Sequence, residues 1–172
     1  MGRSSGYWSG NLYTSEAVEP DPAAPLNDLP PAVALRFRAV RDGLLQIKDV
    51  TEQVRFMGGT WRWAWEYGIG NRKLCWLHLM KNGIDVTFTL SDNDENRLTK
   101  GSKVSGVIAR ALVEGQRTGP VKWCWLELSD RRSIDAFLSL ARRKAEWLAE
   151  RPAPRRAPKL HGRRGGEGIE TD

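Results

Sequence analysis

Alternating apolar and polar positions dominate the middle of this chain and predict β-strands there. Large aromatic residues occupy every second position of Trp61–Tyr67 and again of Trp123–Trp125, which is typical of a strand with two different faces. Asn82-Gly83 predicts a tight hairpin turn between two further alternating runs, because both residues tolerate positive φ angles. The predicted strands cover residues 54–57, 60–67, 73–81, 84–90 and 121–128.

Apolar residues at helical spacing predict helices on both sides of these strands. Asn27 or Asp28 caps the first one, and Asp130 caps the last one, which runs to about residue 148. A middle helix is predicted from near Ser102 to Gly115, and the polar stretch 91–99 reads as a loop with a short helix. These elements predict one α+β domain. Its sheet is mainly antiparallel with four to five strands, and three to four helices pack mostly on one face.

Composition changes at both ends of the 172-residue chain. Residues 1–28 are rich in Gly, Ser, Pro and acidic residues, and we expect a disordered N-terminal arm there. Residues 29–150 form the predicted domain, and residues 151–172 are expected to be a disordered basic tail. Trp8 and Tyr13 are unusual in a disordered arm, so docking of the arm on the domain stays open.

The hairpin turn sorts the strand residues into two faces. With Asn82-Gly83 as the loop, Leu79 pairs with Val86 and Leu77 with Phe88, which gives a wholly apolar core face. The opposite face, called the second face below, then pairs His78 with Thr87 and Trp76 with Thr89. The last strand adds Trp123 and Trp125 to it, whereas Trp63 and Trp65 have no fixed register and could point either way. The candidate ligand-binding residues are therefore Trp76, His78, Thr87, Thr89, Trp123, Trp125, Trp63 and Trp65.

Catalytic and metal-binding motifs are absent from the sequence. Only two histidines, His78 and His161, are present, and no CxxC pair or phosphate-binding glycine loop occurs, so no metal or cofactor is predicted. His78 is the one titratable group among the aromatic residues. Paired with a carboxylate such as Asp85 or Glu127, it would make a small enzyme, which is one alternative function.

Charge leaves a second alternative open. The net charge is +6, and Trp side chains with Arg and Lys around them can bind single-stranded nucleic acid, here together with the basic tail. No apolar run is long enough to span a membrane and the start of the chain lacks the apolar core of a signal peptide, so a cytoplasmic protein without membrane contact is expected. Cys75 and Cys124 fit buried free thiols in a reducing compartment.

The order of the elements resembles a known family. Trp65-Glu66-Tyr67-Gly68 forms a W-x-Y-G strand motif, a Trp-containing hairpin follows over 74–90, and a strand after Gly119 leads into the last helix. This resembles an uncharacterised bacterial family, domain of unknown function three-seven-eight-eight, within the broader YdhG-like α/β group. The resemblance covers roughly residues 30–150. It implies an antiparallel sheet with helices mainly on one face, and it supplies no catalytic residues. The acidic ridge expected of the iron chaperones in that group is absent, because residues 31–150 are basic.

The sequence thus predicts a cytosolic, non-enzymatic domain that binds a small ligand or a protein partner through its aromatic sheet face. Simple packing of the same tryptophans against a helix or the N-terminal arm is the competing interpretation, because Trp packs well on a pleated surface. The pattern of residues does not identify the ligand or the oligomeric state.

Overall fold

A six-stranded antiparallel sheet runs through the part of the chain that the computed structural model describes, residues 3–101 and 103–151. The strands are β1 (Val50–Phe56), β2 (Trp63–Ile69), β3 (Arg72–Met80), β4 (Gly83–Ser91), β5 (Gln116–Thr118) and β6 (Val121–Glu127). They lie in the order β1-β2-β3-β4-β6-β5. The helices are α1 (Ser5–Trp8), α2 (Pro25–Asp28), α3 (Pro31–Leu45), α4 (Gly58–Trp61), α5 (Asp92–Gly101), α6 (Gly106–Glu114) and α7 (Arg131–Glu150).

The α+β class and the antiparallel sheet are confirmed, but the predicted numbers of elements are too low. The described residues form six strands and seven helices, where four to five strands and three to four helices were predicted. The additional elements are short: β5 has three residues, and α1, α2 and α4 have four each. Such elements span too few residues for a periodic pattern to be visible. Within the described ranges, no helix combines the length and apolarity needed to cross a membrane.

The main core lies between the sheet and the longer helices. Phe37 and Leu44 of α3 and Phe137 of α7 are buried there, and the buried side chains of α5 and α6 join the same core. The start of α7 is fixed by a capping box, in which the Asp130 carboxylate accepts from the Ser133 backbone N–H at 2.7 Å. The predicted cap of the last helix is therefore confirmed. This face of the sheet is called the helix face below.

The predicted hairpin register is wrong by two residues. Met80 pairs with Gly83, so the two-residue turn is Lys81-Asn82 and not Asn82-Gly83. No positive φ occurs at Asn82 or Gly83, so the turn lacks the geometry that the Asn-Gly dipeptide favours. Because side chains alternate with period two, a shift by two residues changes the partners and leaves every residue on its predicted face.

The tryptophans around β2 divide between the two faces. Trp63 and Trp65 belong to the core on the helix face. The predicted strand from Thr60 begins only at Trp63, because Arg62 has a φ of 58° and turns the chain between α4 and β2. Trp61, in α4, therefore leaves the alternation and lies against the second face, where its ring contacts His78.

The N-terminal arm, expected to be disordered, packs along the domain over its described residues 3–28. Its backbone pairs with the end of β3, where Leu12 N–H donates to the Leu79 carbonyl at 2.8 Å and Lys81 N–H donates to the Gly10 carbonyl at 2.9 Å. Trp8 is only 2% exposed, so the arm docks on the domain, which the sequence had left open. Beyond this pairing the chain follows the helix face, where Tyr13 packs on Trp65. The predicted basic tail covers residues 151–172, of which only Arg151 is described, and its guanidinium donates to the Ser91 hydroxyl and pairs with Asp94.

Candidate functional site

Six of the eight candidate ligand-binding residues share the second face. The strand register places Trp76, Thr87 and Trp125 side by side in one row across β3, β4 and β6. Thr89 lies opposite Trp123 in the next row. His78 belongs to a third row, opposite Asp85.

The other two candidates are corrected by the fold. Trp63 and Trp65 point to the helix face and donate their indole N–H groups to the carbonyls of Ser15 and Pro22. Their hydrogen bonds fasten the N-terminal segment to the core, and they do not meet the residues of the second face. The sequence left the direction of Trp63 and Trp65 undetermined, and the structure places both in the core.

Five rings form an aromatic cluster on the second face, composed of Trp8, Trp61, Trp76, His78 and Trp123. Trp76 and Trp123 are stacked, with ring centroids 5.7 Å apart and planes at 23°. Trp61 meets both of them edge-on, at 6.1 and 5.9 Å. The rings of Trp8 and Trp61 lie 4.5 and 4.9 Å from that of His78. Stacked and edge-to-face pairs at these distances are favourable ring arrangements, so the cluster holds a fixed shape.

The aromatic cluster is closed on one side and open on the other. The arm and α4 cover it near β3, where Trp8, Trp76 and His78 are buried. Trp61 and Trp123 stay half-buried, as do the neighbouring Trp125 and Thr89. The competing interpretation of pure packing therefore describes the covered part, whereas the part on β4 and β6 keeps aromatic surface in contact with solvent.

Glu66 fixes the orientation of Trp76. It lies opposite Trp76 in the β2–β3 register, and its carboxylate accepts the Trp76 indole N–H at 3.0 Å. Lys73 and Arg55 pair with the same carboxylate, at 2.5 and 3.4 Å. Burial tends to raise the pKa of Glu66, but the hydrogen bonds from Lys73 and Trp76 outweigh it and lower the pKa. A charged Glu66 thus holds the stacked pair in place from one edge.

His78 is held as a neutral, solvent-free ring. Its Nε2 lies 2.8 Å from the Thr87 hydroxyl, a diagonal contact in the observed register. Burial, together with the positive charge of Arg3, lowers its pKa to about 3. Its Nδ1 has no hydrogen-bond partner among the described residues. A general base must be reachable by substrate and needs a pKa near the working pH, whereas His78 is fully buried and has a pKa of about 3.

The carboxylates considered as partners of His78 are engaged elsewhere or lie at the rim. Asp85, directly opposite His78, forms an ion pair with Arg3 at 3.1 Å. The pKa of Asp85 is raised to about 6, chiefly by burial, which Arg3 opposes in part and to which Glu127 adds a smaller rise. Glu127 is exposed at the end of β6. The structure thus brings His78 and Asp85 together in register without forming the acid–base pair that the enzyme alternative requires.

Trp8, Trp61, Arg3 and Glu66 belong to this site but were not among the eight candidate residues. Arg3 was not distinguished, because a single arginine among Gly and Ser is typical of a disordered arm and its partner Asp85 is 82 positions away. Glu66 was not distinguished either. The available signal for Glu66 was its position between Trp65 and Tyr67, on a strand that can pair with the Trp-containing strand β3.

No cluster of His, Cys, Asp or Glu among the described residues has the arrangement needed to hold a metal ion. Comparison with known proteins identified no matching family model, no similar curated protein and no similar solved structure. The resemblance to the family of unknown function and to the YdhG-like group therefore stays a prediction.

Proposed function

We propose that this chain is a non-enzymatic binding domain that holds a planar group of a small molecule against the open side of the aromatic cluster. The observation that carries the proposal is the partial exposure of Trp61, Trp123 and Trp125 on the second face. Aromatic side chains gathered on a protein surface mark binding sites more often than scattered apolar residues do. A planar ligand would add a further ring to an arrangement that is already stacked.

The charges near the tryptophans favour a small molecule over single-stranded nucleic acid. Lys73 is bound to Glu66, and Lys122 is bound to Glu95 at 2.5 Å. Arg62 donates to the carbonyl of Thr14. These cations neutralise carboxylates or fasten the arm, so they are not arranged as a track for phosphates.

Indole N–H signals in nitrogen-15 NMR spectra test the proposal directly, because each tryptophan gives its own resonance. A panel of planar metabolites is titrated into the labelled protein. We expect at least one compound to shift the signals of Trp61, Trp123 and Trp125, and the double variant Trp123→Leu/Trp125→Leu to weaken its binding at least tenfold. Trp147→Phe, a change in the core on α7, serves as the control and leaves binding unchanged.

Two results would contradict the proposal. The first is a panel that shifts none of the indole signals of the second face. The second is binding that survives the loss of both Trp123 and Trp125. A single-stranded decathymidylate that binds more tightly than every small compound, with affinity falling steeply as salt rises, would replace the proposal by the nucleic-acid alternative.

A further inference from the structure

A cavity of about 550 Å³ adjoins the open side of the aromatic cluster. It lies between α6, the end of β6 and the first turn of α7, and Trp125 lines it. Its volume falls within the range of roughly 300–1,000 Å³ that is usual for small-molecule sites. Because Trp125 belongs both to the cavity wall and to the second face, the cavity borders the face that carries the aromatic cluster.

Two buried N–H donors in the wall of this cavity lack an acceptor. They are the Nε1 of Trp125 and the Nε of Arg3, neither of which has a hydrogen-bond partner among the described residues. Buried polar groups in proteins are nearly always paired, and each unpaired donor is costly. Both atoms are shielded from solvent, so a ligand oxygen reaches them only after the covering side chains move.

Two further cations face the same cavity. Arg110 of α6 and Arg132 of α7 line it, and neither forms an ion pair within the described ranges. Guanidinium groups bind carboxylates and phosphates with paired N–H donors, which favours an anionic ligand group.

Three acidic residues also line the cavity. The Asp130 carboxylate accepts from Ser133 as the cap of α7. Glu127 is exposed at the strand end, and Glu114 already has an interaction of its own. Among the charged side chains of the lining, Arg110, Arg132 and Glu127 form neither an ion pair nor a side-chain hydrogen bond within the described ranges, so two of these three charges are positive.

We infer that this cavity binds an anionic oxygen group, a carboxylate or a phosphate, on the same small molecule whose planar part meets the aromatic cluster. The inference rests on the proposed function and narrows its ligand class to planar aromatic acids or phosphate esters. Arg110 and Arg132 bind the anionic group.

A matched set of probes tests the anionic group separately from the planar one. The probes are 2-naphthyl phosphate, 2-naphthoate and uncharged 2-naphthol, which share one ring system, together with inorganic phosphate. Binding is measured by calorimetry and by the Trp125 indole signal. We expect one of the two anionic probes to bind at least tenfold more tightly than 2-naphthol, and comparison of the two identifies carboxylate or phosphate as the preferred group.

Charge variants locate the anionic group. Arg110→Gln/Arg132→Gln removes the free cations of the cavity and should abolish the advantage of the anionic probe over 2-naphthol. Arg38→Gln/Arg131→Gln removes the same charge from exposed positions that do not line the cavity, and should leave that advantage intact. Circular dichroism spectra confirm that both double variants are folded.

The outcomes separate the two proposals. Equal binding of the three naphthyl compounds, with shifts in the cluster indoles, would overturn the anion site and leave the proposed function standing. An anionic advantage that persists in Arg110→Gln/Arg132→Gln would also overturn it. Shifts of Trp125 by inorganic phosphate, lost in this variant, without any response to the naphthyl rings would support the anion site and contradict the planar one. No response to any probe contradicts both.

Discussion

The guanidinium of Arg3 lies 3.1 Å from the carboxylate of Asp85, which joins the first described residues to the centre of the sheet. Asp85 is 1% exposed and faces both its neighbour Glu127 in β6 and the ring row of His78 in β3. Removing a carboxylate from water disfavours its charged form, and one cation compensates this only in part. The pair therefore makes the packing of the arm sensitive to the protonation of Asp85.

Because of Asp85, the free energy of unfolding should fall as pH rises. The pKa of Asp85 is raised from 3.8 to about 6, so between pH 4 and pH 6 the folded protein keeps a proton that the unfolded chain has released. The variant Asp85→Asn has no titrating group at this position, so its stability does not fall for this reason as pH rises. The free energy of unfolding of the variant, relative to the wild type, should increase by up to about 3 kcal/mol between pH 4 and pH 7, because a shift of one unit corresponds to about 1.4 kcal/mol.

Urea denaturation at several pH values measures this difference. Asp135→Asn, which removes an exposed carboxylate from a pair with Arg131, controls for the loss of one negative charge. A difference between Asp85→Asn and the wild type that is constant from pH 4 to pH 7 would contradict a raised pKa of Asp85.

His78 should act on stability in the opposite direction. Burial, aided by Arg3, lowers the pKa of His78 from 6.5 to about 3. The unfolded chain therefore binds a proton as pH falls below about 6.5, whereas the folded protein does not bind it until about pH 3. The resulting loss of stability begins as pH falls below about 6.5. We expect the ring signals of His78 in NMR spectra to stay those of a neutral imidazole from pH 8 to pH 5, with His161→Gln used to assign them. A midpoint above pH 5 would show that the ring is accessible to water.

Alternation along the strands was sufficient to predict which tryptophans share a face. Trp76, Trp123 and Trp125 occupy the predicted side although the hairpin register is shifted, because a shift of two residues preserves side-chain direction. The position of Trp61 was not predictable in the same way. The run Trp61-Arg62-Trp63 keeps perfect alternation in sequence, and only the positive φ of Arg62 separates its two tryptophans onto opposite faces.

The rest of the site depends on contacts between distant parts of the chain. Arg3 with Asp85 and Trp8 with His78 are pairs that no local pattern connects, and a sequence rich in Gly, Ser and Pro gives no periodic signal for docking. The arm is held by backbone pairing with the end of β3, by the buried ring of Trp8 and by the indole hydrogen bonds of Trp63 and Trp65. Such packing depends on the shape of the folded sheet, which cannot be predicted from composition alone.

Glu66 should stabilise the fold through the Trp76 indole. Glu66→Ala leaves the buried Trp76 N–H without its acceptor, so we expect a loss of about 1–3 kcal/mol in the free energy of unfolding. Glu66→Gln keeps a side-chain oxygen at that position and should cost clearly less. Urea denaturation gives the two values, and the Trp76 indole chemical shift reports on the hydrogen bond. Equal losses in both variants would assign the effect to the Lys73 ion pair instead.

Neither cysteine should react with thiol reagents in the native protein. Burial raises the pKa of Cys75 to about 12 and that of Cys124 to about 11, although nearby lysines oppose the shift. The reactive thiolate is therefore scarce at pH 8. Ellman's reagent should label less than one thiol per chain within an hour, and two after denaturation in urea. Rapid labelling of the native protein would mean that the core opens readily.

Trp8 should determine whether His78 is neutral. Trp8→Ala removes the ring that lies 4.5 Å from the imidazole and opens it to water, so the pKa of His78 should rise from about 3 towards 6.5. Loss of a buried Trp costs about 3–5 kcal/mol in general. For this reason Trp147→Ala, a change of the same size in the core on α7, serves as a control for overall loosening. NMR titration of His78 in both variants should give a raised pKa in Trp8→Ala alone. The same rise in Trp147→Ala would show that general destabilisation, and not removal of the arm's ring, exposes His78.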